Sequence, residues 1–513
     1  MARACTYTVT LTGITGHVVK IETDAADGPP EVILAGLPDT ALREARDRVR
    51  AAVINSGVPW PQQRITARLL PASLPRHGSC CDTAIAAGIL AAAGLVPADA
   101  VRGTVFIAEL GLDGRIRPVN GVLPSVLAAQ EAGFSTVVVA GQNAAEAAQV
   151  ADMTVIAATS LTMLISWLRA EISLPCGPVP SSEPDCSGDP GRPAGRTDGT
   201  APDLAQVLGQ AGARMGLEIC AGGGHHLSLL GPPGSGKRML AERLPTILPP
   251  LDPGQALEVT AIHSAAGALP DGIALLTAPP FQAPHHTASK AAITGGGTPS
   301  LRPGAASLAH RGILFLDNAP EFGRDVLDVL RQPLESGQIT VARSGITATF
   351  PARFTLVLAA SPCPCANTAA PAGTCSCSPV ARRRYLGRLS GPLLDRIEVK
   401  AQLLPYRSRY GTESSAMVAN RVTAARDRAT VRLAGTPWQV NAEVPAPELR
   451  KRWSPPPSAL GSAEIAAETG LISARRLSSV VRVAWTIADL AGLDSPGRDQ
   501  CELALEFVLG SST

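Results

Sequence analysis

Aromatic residues are scarce in this 513-residue chain, in which phenylalanine, tyrosine and tryptophan together make up 3% of the sequence. Long hydrophobic runs are missing as well. The longest, Ala84–Val96, is too short and too rich in alanine and glycine to span a bilayer. The N-terminal segment also lacks the apolar run of a secretory signal. We therefore expect a cytoplasmic protein without a membrane partner.

A strong charge of one sign is absent too. Lysine and arginine number 45 and aspartate and glutamate 43, which leaves a net charge of +2. This balance excludes a broad basic field, so any contact with nucleic acid must come from local arginine clusters. The length predicts about three domains, and the hydrophobic fraction of 45% is ordinary for a globular protein.

A phosphate-binding motif stands near the middle of the chain. The apolar run Leu227–Leu230 predicts a buried strand, and residues 237–248 predict a helix that Pro245 must end or kink. Between strand and helix lies the turn Gly231-Pro232-Pro233-Gly234-Ser235-Gly236-Lys237-Arg238. Backbone N–H groups of such a turn cradle phosphates, and its lysine adds a positive charge. The motif G-x-x-x-x-G-K-[ST] fails only at its last position, where Arg238 replaces the hydroxyl that ligates Mg²⁺.

A second nucleotide-site motif follows about eighty residues later. Four apolar residues, Ile313–Leu316, precede Asp317 and predict a buried strand that ends in a carboxylate. Beside a P-loop, such a carboxylate holds Mg²⁺. The next residue is Asn318, where a catalytic glutamate usually stands. An amide can position a water molecule, but it cannot accept the proton.

Two closely spaced cysteine pairs lie further along. Cys363 and Cys365 are followed, after nine residues, by Cys375 and Cys377. Four thiolates are sufficient for a tetrahedral zinc site that fixes a loop. Reduced structural thiols are the alternative interpretation, since disulfides are not expected in the cytosol.

Other polar groups carry weaker signals. The adjacent His285 and His286 favour a hydrogen-bonded loop pair over metal ligands. Residues 337–354 predict a hairpin with Arg343, Ser344 and Gly345 at its tip, where Arg343 is either a solvated turn residue or a functional one.

These motifs define a domain order. Residues 1–170 alternate strand and helix patterns and predict an α/β or α+β domain. Residues 171–202 are rich in proline, glycine, serine and aspartate, and predict a flexible linker. Residues 203–402 hold the P-loop core with its cysteine-rich insert 363–377, and residues 403–513 predict a helical lid.

The chain resembles the ComM/YifB family of magnesium-chelatase-like AAA+ proteins over nearly its whole length. The stretches that carry the resemblance are VILAGLPDTALREARDRVRAAV, LPASLPRHGSCCDTAIAAGILAA, LGLDGRIRPVNGVLPSVLAA, LEVTAIHSAAG, FQAPHHTASKAAITGGG, LRPGAASLAHRGILFLD, PCPC with CSC, and RRRYLGRLSGPLLDRIEV. The resemblance implies an N-terminal domain with the S5-like fold of the Lon protease domain, an α/β AAA+ core and a helical lid, assembled into a homohexameric ring. It also implies ATP as cofactor and helicase-like action on DNA, such as branch migration in natural transformation or recombination.

Family roles transfer to matching residues. Lys237 and Asp317 correspond to the phosphate-binding lysine and the metal-binding aspartate. Arg396 matches the arginine finger that acts on a neighbour's γ-phosphate. Arg475 corresponds to the sensor-2 arginine, with Arg482 as the alternative. Arg343 lies at the tip of the hairpin that contacts DNA in related helicases.

Three positions depart from the family pattern. Arg238 replaces the Walker A hydroxyl, Asn318 replaces the Walker B glutamate, and Ser361 replaces a sensor asparagine. All three changes affect Mg²⁺ or water, which predicts a weakened Mg²⁺ site and impaired hydrolysis. Whether the protein is an active ATPase stays open at this point.

The N-terminal domain lacks the pattern of a Lon-type peptidase. Ser79 is the nearest hydroxyl to the nucleophile but is out of register by one position, and Leu123 stands where the lysine base is required. A serine without a base is not activated. We therefore expect a structural or partner-binding domain.

Three classes of function remain. The first is a DNA motor of the ComM type. The second is a nucleotide-binding scaffold subunit with little activity of its own. The third is a protein-remodelling or chelatase-like ATPase, although the chain shows no further metal-insertion domain.

Overall fold

The computed structural model describes residues 2–36, 39–71, 79–177, 202–270, 272–297, 301–343, 346–365, 377–404 and 413–510. The N-terminal part contains the strands β1 Ala2–Thr12, β2 Thr15–Ala26, β3 Glu31–Ala35, β4 Arg64–Leu70, β5 Thr104–Ile107, β6 Glu109–Leu110, β7 Ile116–Arg117, β8 Thr136–Ala140 and β9 Thr154–Ala158. Its helices are α1 Asp39–Asn55, α2 Asp82–Ala92, α3 Ala98–Val101, α4 Val122–Glu131, α5 Ala144–Ala147 and α6 Leu161–Leu168.

Seven of these strands form one mixed sheet in the order β3-β4-β2-β1-β5-β8-β9. Strands β1 and β2 pair antiparallel along their whole length, from Ala2 opposite Ala25 to Thr12 opposite Thr15. Helix α2 packs against both strands with every residue buried. Its alanine and glycine content explains this close approach, because small side chains let a helix backbone lie near a sheet.

The chain stays with this sheet beyond residue 170. Leu174 is buried in the N-terminal core, and the N–H of Gly177 donates to the carbonyl of Val155. Residues 171–177, the first part of the predicted linker, are therefore held by packing. The remainder of the predicted linker, from 178 to 201, lies outside the described residues.

The core region follows. Its strands are β10 Leu227–Leu230, β11 Phe281–Gln282, β12 Gly295–Gly296, β13 Arg302–Pro303, β14 Ile313–Leu316, β15 Gln338–Arg343, β16 Ile346–Pro351, β17 Thr355–Ala360 and β18 Val399–Gln402. Its helices are α7 Ala211–Gly223, α8 Lys237–Ala241, α9 Pro253–Ala266, α10 Lys290–Thr294, α11 Ala305–Leu308, α12 Arg324–Val329, α13 Arg331–Ser336, α14 Pro379–Leu386 and α15 Gly391–Leu394.

A five-stranded parallel sheet, in the order β11-β14-β17-β10-β18, forms the centre of this region. Strand β14 is buried along all four residues, as expected for a parallel strand covered on both faces. The predictions of an α/β fold and of strands at 227–230 and 313–316 are confirmed.

The helix after the P-loop is shorter than the apolar spacing predicts. Helix α8 ends at Ala241, and a 3₁₀ turn, Leu244–Ile247, replaces its continuation. Pro245 explains the break, because its ring clashes with the carbonyl four residues earlier and it has no N–H to donate. Ala241 occupies that earlier position.

The C-terminal region is helical throughout its regular elements, which are α16 Ser415–Arg432, α17 Ala446–Arg452, α18 Pro457–Glu468, α19 Ala474–Ala491 and α20 Arg498–Leu509. Its apolar residues share one continuous core with β10 and β18. None of the described helices combines the length and the apolar character needed to cross a membrane.

A buried charge cluster holds this helical region together. Asp489 is 1% exposed and accepts hydrogen bonds from the Arg432 guanidinium at 2.5 and 2.6 Å. Asn441 donates to the same carboxylate at 2.9 Å, and the Arg432 guanidinium stacks 4.3 Å from the centre of the Trp485 ring. Removing one member leaves a buried charge without its partner.

We expect Asp489→Ala to lower the free energy of unfolding by about 3–5 kcal/mol, because Arg432 keeps its charge inside the core. Denaturant-induced unfolding measures the change. The matched control is Arg498→Ala, which breaks the exposed pair of Arg498 and Glu502, joined at 2.8 Å, keeps the hydrogen bond from Ser462 to Glu502, and should leave unfolding unchanged. Equal effects of the two variants would contradict the assigned role of burial.

Candidate functional site

Three predicted parts of the site lie at the carboxyl edge of the parallel sheet. The P-loop follows β10, Asp317 follows β14, and Ser361 follows β17. Leu230 pairs with Ala360, and the N–H of Gly231 donates to the Ala360 carbonyl at 3.2 Å. Parallel strands end at one edge, so these loops are neighbours despite their separation in sequence.

Three glycines give the P-loop its shape. Gly234 and Gly236 have φ values of +74° and +91°, a backbone region that residues with a Cβ seldom adopt. At Gly231 a Cβ would lie 2.7 Å from the Cβ of Leu403. The turn therefore depends on glycine at each of these positions.

Lys237 folds back over this turn. Its ammonium group donates to the carbonyls of Gly231 and Pro232 at 2.7 and 2.9 Å. Burial lowers the pKa of Lys237, while the Asp317 carboxylate acts in the opposite direction. The Ser235 hydroxyl is also buried and has no hydrogen-bond partner among the described residues. A partly desolvated cation and an unused hydroxyl are suited to a phosphate group.

The Arg238 side chain lies close to Asp317, the residue expected to bind Mg²⁺. Its Nε donates to Glu242 at 2.9 Å, and its Nη1 lies 4.0 Å from Oδ2 of Asp317. A guanidinium has no lone pair for metal ligation. The donor set expected for Mg²⁺ therefore keeps Asp317 and loses the hydroxyl, while a positive charge stands beside the same carboxylate.

Asn318 directly follows Asp317, and Ser361 follows the neighbouring strand β17. Asn318 is exposed and has φ +52°, in the left-handed region that asparagine tolerates better than most residues. Ser361 is buried, directly after the end of β17. Neither side chain offers the carboxylate that a proton-accepting role requires.

The predicted arginine finger lies at the opposite edge of the sheet. Arg396 precedes β18, whose first residue Val399 pairs with Leu227, the first residue of β10. Arg396 donates to Glu335, 61 residues earlier in the chain. The sheet therefore separates Arg396 from the P-loop of the same chain.

The start of α19 lies at this same edge. Arg476 is 3.5 Å from the Asp395 carboxylate, so the first turn of α19 lies beside the residue that precedes Arg396. Arg475 is exposed. Sequence reasoning did not identify Glu335 or Arg476, because their partners are distant in the chain and no local pattern indicates them.

Arg482, the alternative to Arg475, belongs to a buried network. It donates to Glu398 at 2.8 Å and to the Val444 carbonyl at 2.7 Å. Glu398 also contacts His225, which is hydrogen-bonded to Thr486 at 2.8 Å. Burial alone would raise the pKa of Glu398, but His225 and Arg482 lower it to about 2. This network connects β10, β18 and α19.

Three thiols converge beyond Ser361. The sulfur atoms of Cys363, Cys365 and Cys377 all lie within 4.8 Å of one another, and the first two are 3.2 Å apart. Thiolates around a tetrahedral zinc ion are separated by about 3.8 Å, so the spacing fits zinc. Cys375 lies outside the described residues.

The remaining sequence candidates have simpler environments. His285 Nδ1 is 2.7 Å from the Thr287 hydroxyl, in agreement with the hydrogen-bonded loop interpretation. Arg343 is exposed at the end of β15, next to the tip residues Ser344 and Gly345, which lie outside the described part of the chain.

The peptidase position lacks the lysine that a Lon-type site requires. The Ser79 hydroxyl donates to Glu109, and both line a cleft of about 390 Å³ between the N-terminal and core regions. Leu123, at the position of the required lysine, is completely buried in the N-terminal core. The Ser79 hydroxyl therefore faces a carboxylate, while an apolar side chain fills the position expected for the lysine.

Three family profiles match the chain. The profile "Magnesium chelatase, subunit ChlI" covers residues 203–409, and the profile "Subunit ChlI of Mg-chelatase" covers residues 21–143. The profile "Magnesium chelatase, subunit ChlI C-terminal" covers residues 412–507. A Lon protease of Mycolicibacterium smegmatis is 30% identical over 141 residues, 26% of this chain and 18% of that protein.

Full-length relatives match as well. An uncharacterized protein of Mycobacterium tuberculosis is 47% identical over 513 residues, 99% of each chain. Competence protein ComM of Haemophilus influenzae is 39% identical over 501 residues, 96% of this chain and 94% of ComM. The uncharacterized protein YifB of Escherichia coli is 36% identical over 515 residues, 99% of this chain and 97% of YifB. The chain therefore belongs to the ComM/YifB family of magnesium-chelatase-like proteins.

Proposed function

We propose that this protein is an ATP-binding AAA+ protein that acts on DNA in a helicase-like manner and hydrolyses ATP slowly. The observation that carries the proposal is the meeting of the P-loop, Asp317 and Ser361 at one sheet edge, with Arg238 inserted 4.0 Å from Asp317. The relative named competence protein ComM supports a role in natural transformation or recombination.

In this proposal, the P-loop binds the phosphates of the nucleotide. Backbone N–H groups of residues 231–237, the Lys237 ammonium and the Ser235 hydroxyl would hold the phosphates. Lys237 would exchange its two carbonyl partners, Gly231 and Pro232, for phosphate oxygens. Bound ATP supplies the phosphoanhydride bond whose cleavage drives conformational change in related motors.

The residues that handle metal and water account for slow hydrolysis. Asp317 retains its carboxylate toward Mg²⁺, while Arg238 places a positive charge near the same point. Asn318 orients water through its amide but leaves the proton on it. The same arrangement favours a second candidate function, a nucleotide-binding scaffold subunit that depends on an active partner.

Assembly follows from the position of the arginines. Arg396 and Arg475 lie at the sheet edge opposite the P-loop of their own chain. They would reach a phosphate group only on a neighbouring copy, as subunits of a ring do. We assign both to the neighbour's nucleotide in a homohexamer, and we assign Arg482 to the buried network with Glu398.

DNA binding is the first test of this proposal. We expect Arg343→Ala to weaken binding of single-stranded DNA and to leave ATP affinity unchanged, because the hairpin lies apart from the P-loop. Lys237→Ala should lower ATP affinity at least about tenfold, since it removes the buried cation. Fluorescence anisotropy with labelled DNA and labelled ATP measures both. The control is Arg498→Ala, which removes an exposed arginine of α20; absence of DNA binding by the wild type would refute DNA action.

Restoring the missing groups tests the hydrolysis proposal. We expect the double variant Arg238→Ser, Asn318→Glu to hydrolyse ATP about 10²-fold faster than the wild type or more, because a general base typically contributes 10²–10⁴-fold. Phosphate release in the presence of Mg²⁺ measures the rate. The same pair in a Lys237→Ala background should be inactive. Wild-type turnover near 1 s⁻¹ would contradict the proposal.

Zinc at the cysteine cluster is a structural part of the proposal. Cys363, Cys365 and Cys377 would hold the ion, with Cys375 as the predicted fourth ligand, and so fix the segment between Ser361 and α14. We expect elemental analysis to find about one zinc ion per chain and to find none in a Cys363→Ser, Cys377→Ser variant. Cys176→Ser, an exposed cysteine outside the cluster, should keep the metal. Equal zinc content in all three proteins would exclude this site.

A further inference from the structure

The turn between β1 and β2 contacts the hairpin formed by β15 and β16. Ile14 of this turn packs into a small apolar cluster with Leu301, Ala348 and Phe350. Ala348 and Phe350 belong to β16, so the tip of an N-terminal hairpin touches a hairpin of the core. The two regions thus meet at the element that carries Arg343.

The contact is made on the face of the hairpin that includes Arg343. Ala348 pairs with Val341, and Arg343 pairs with Ile346. Directly opposed residues of an antiparallel pair share a face, and alternate residues along a strand do so as well. Arg343 therefore lies on the face that the N-terminal turn contacts.

Gly13 lies so close to β16 that a larger side chain cannot be accommodated there. Gly13 has φ +68°, and a Cβ added there would lie 2.9 Å from the Cβ of Ala348 and 3.1 Å from the Phe350 ring. Neither neighbour is the flexible end of a long side chain. A methyl group at Gly13 therefore has to displace β16 or the N-terminal turn.

A second contact fixes the N-terminal region to the core. Helix α4 packs along α9, where Ala261 is buried among N-terminal residues that include Val122 and Val126. The N–H of Gly121 donates to the Ser264 carbonyl at 3.0 Å. The N-terminal region is thus anchored on α9 and reaches from there to the hairpin.

We propose that the N-terminal domain positions the DNA-binding hairpin. The α4–α9 contact anchors this domain, and Gly13 and Ile14 brace the face of β16 so that Arg343 is held in place for DNA. This gives a positioning role to a domain that lacks the peptidase base. The inference rests on the proposed function, because it takes Arg343 as a DNA contact.

A pair of glycine substitutions tests the brace. Gly13→Ala and Gly57→Ala both place a methyl group on a left-handed backbone, with φ +68° and +75°, but Gly57 has no atom within 4 Å of the added Cβ. We expect Gly13→Ala to weaken DNA binding about fivefold, which is the size of effect typical of two residues in direct contact. ATP affinity should not change. Gly57→Ala should bind both ligands like the wild type.

A compensating substitution separates displacement from general damage. Ala348→Gly removes the methyl group that collides with the new one, so the double variant Gly13→Ala, Ala348→Gly should recover part of the lost DNA affinity. Ile14→Ala is the second variant if Gly13→Ala does not fold; it removes packing without backbone strain and should also weaken DNA binding.

The outcomes distinguish the two proposals. If the wild-type protein fails to bind DNA, the proposed action on DNA is wrong. If the wild type binds DNA and Arg343→Ala binds it equally well, Arg343 is not a DNA contact. In both cases the brace has no DNA role. If Arg343→Ala weakens DNA binding while Gly13→Ala and Ile14→Ala bind as tightly as Gly57→Ala, the brace alone is refuted.

Discussion

The parallel alignment of five core strands is the constraint on which the candidate site depends. Because every strand of the sheet runs in the same direction, the loops after β10, β14 and β17 all emerge at one edge. The P-loop, Asp317 and Ser361 lie together at this edge. The same constraint sends Arg396, which precedes β18, to the opposite edge. The P-loop and Arg396 therefore lie at opposite edges of the sheet, which is the arrangement that the proposed ring assembly requires.

Buried charge fixes the C-terminal helices to the parallel sheet. Glu398 contacts His225 at the start of β10 and Arg482 on α19, so one carboxylate joins the sheet to the C-terminal helices. Such a group is tolerated in the interior only when it is paired and hydrogen-bonded. The pairing holds Arg482 against Glu398, whereas Arg475 is exposed, and this difference supports the proposal that Arg475 is the arginine that contacts phosphate.

The N-terminal domain packs closely on the core region. The lysine that a Lon-type peptidase needs is replaced by the buried Leu123, yet α4, the helix containing Leu123, packs closely on the core. At Gly13 an added Cβ would lie 2.9 Å from the Cβ of Ala348 in the core region. Contacts of this kind are those that the proposed positioning role requires.

Local features could be predicted from the sequence: the glycines of the P-loop, the strands at 227–230 and 313–316, and the hairpin with Arg343 near its tip. These depend on backbone conformation and on the spacing of apolar residues over a few positions. The same reasoning overestimated the length of α8, because apolar spacing continues past Pro245 while the backbone hydrogen bonds do not. The folded structure was needed to show that Arg238 lies beside Asp317, that Arg482 pairs with Glu398, and that Gly13 packs against Ala348. Each of these contacts joins residues that are far apart in the chain, and strand order brings them together, which no local pattern encodes.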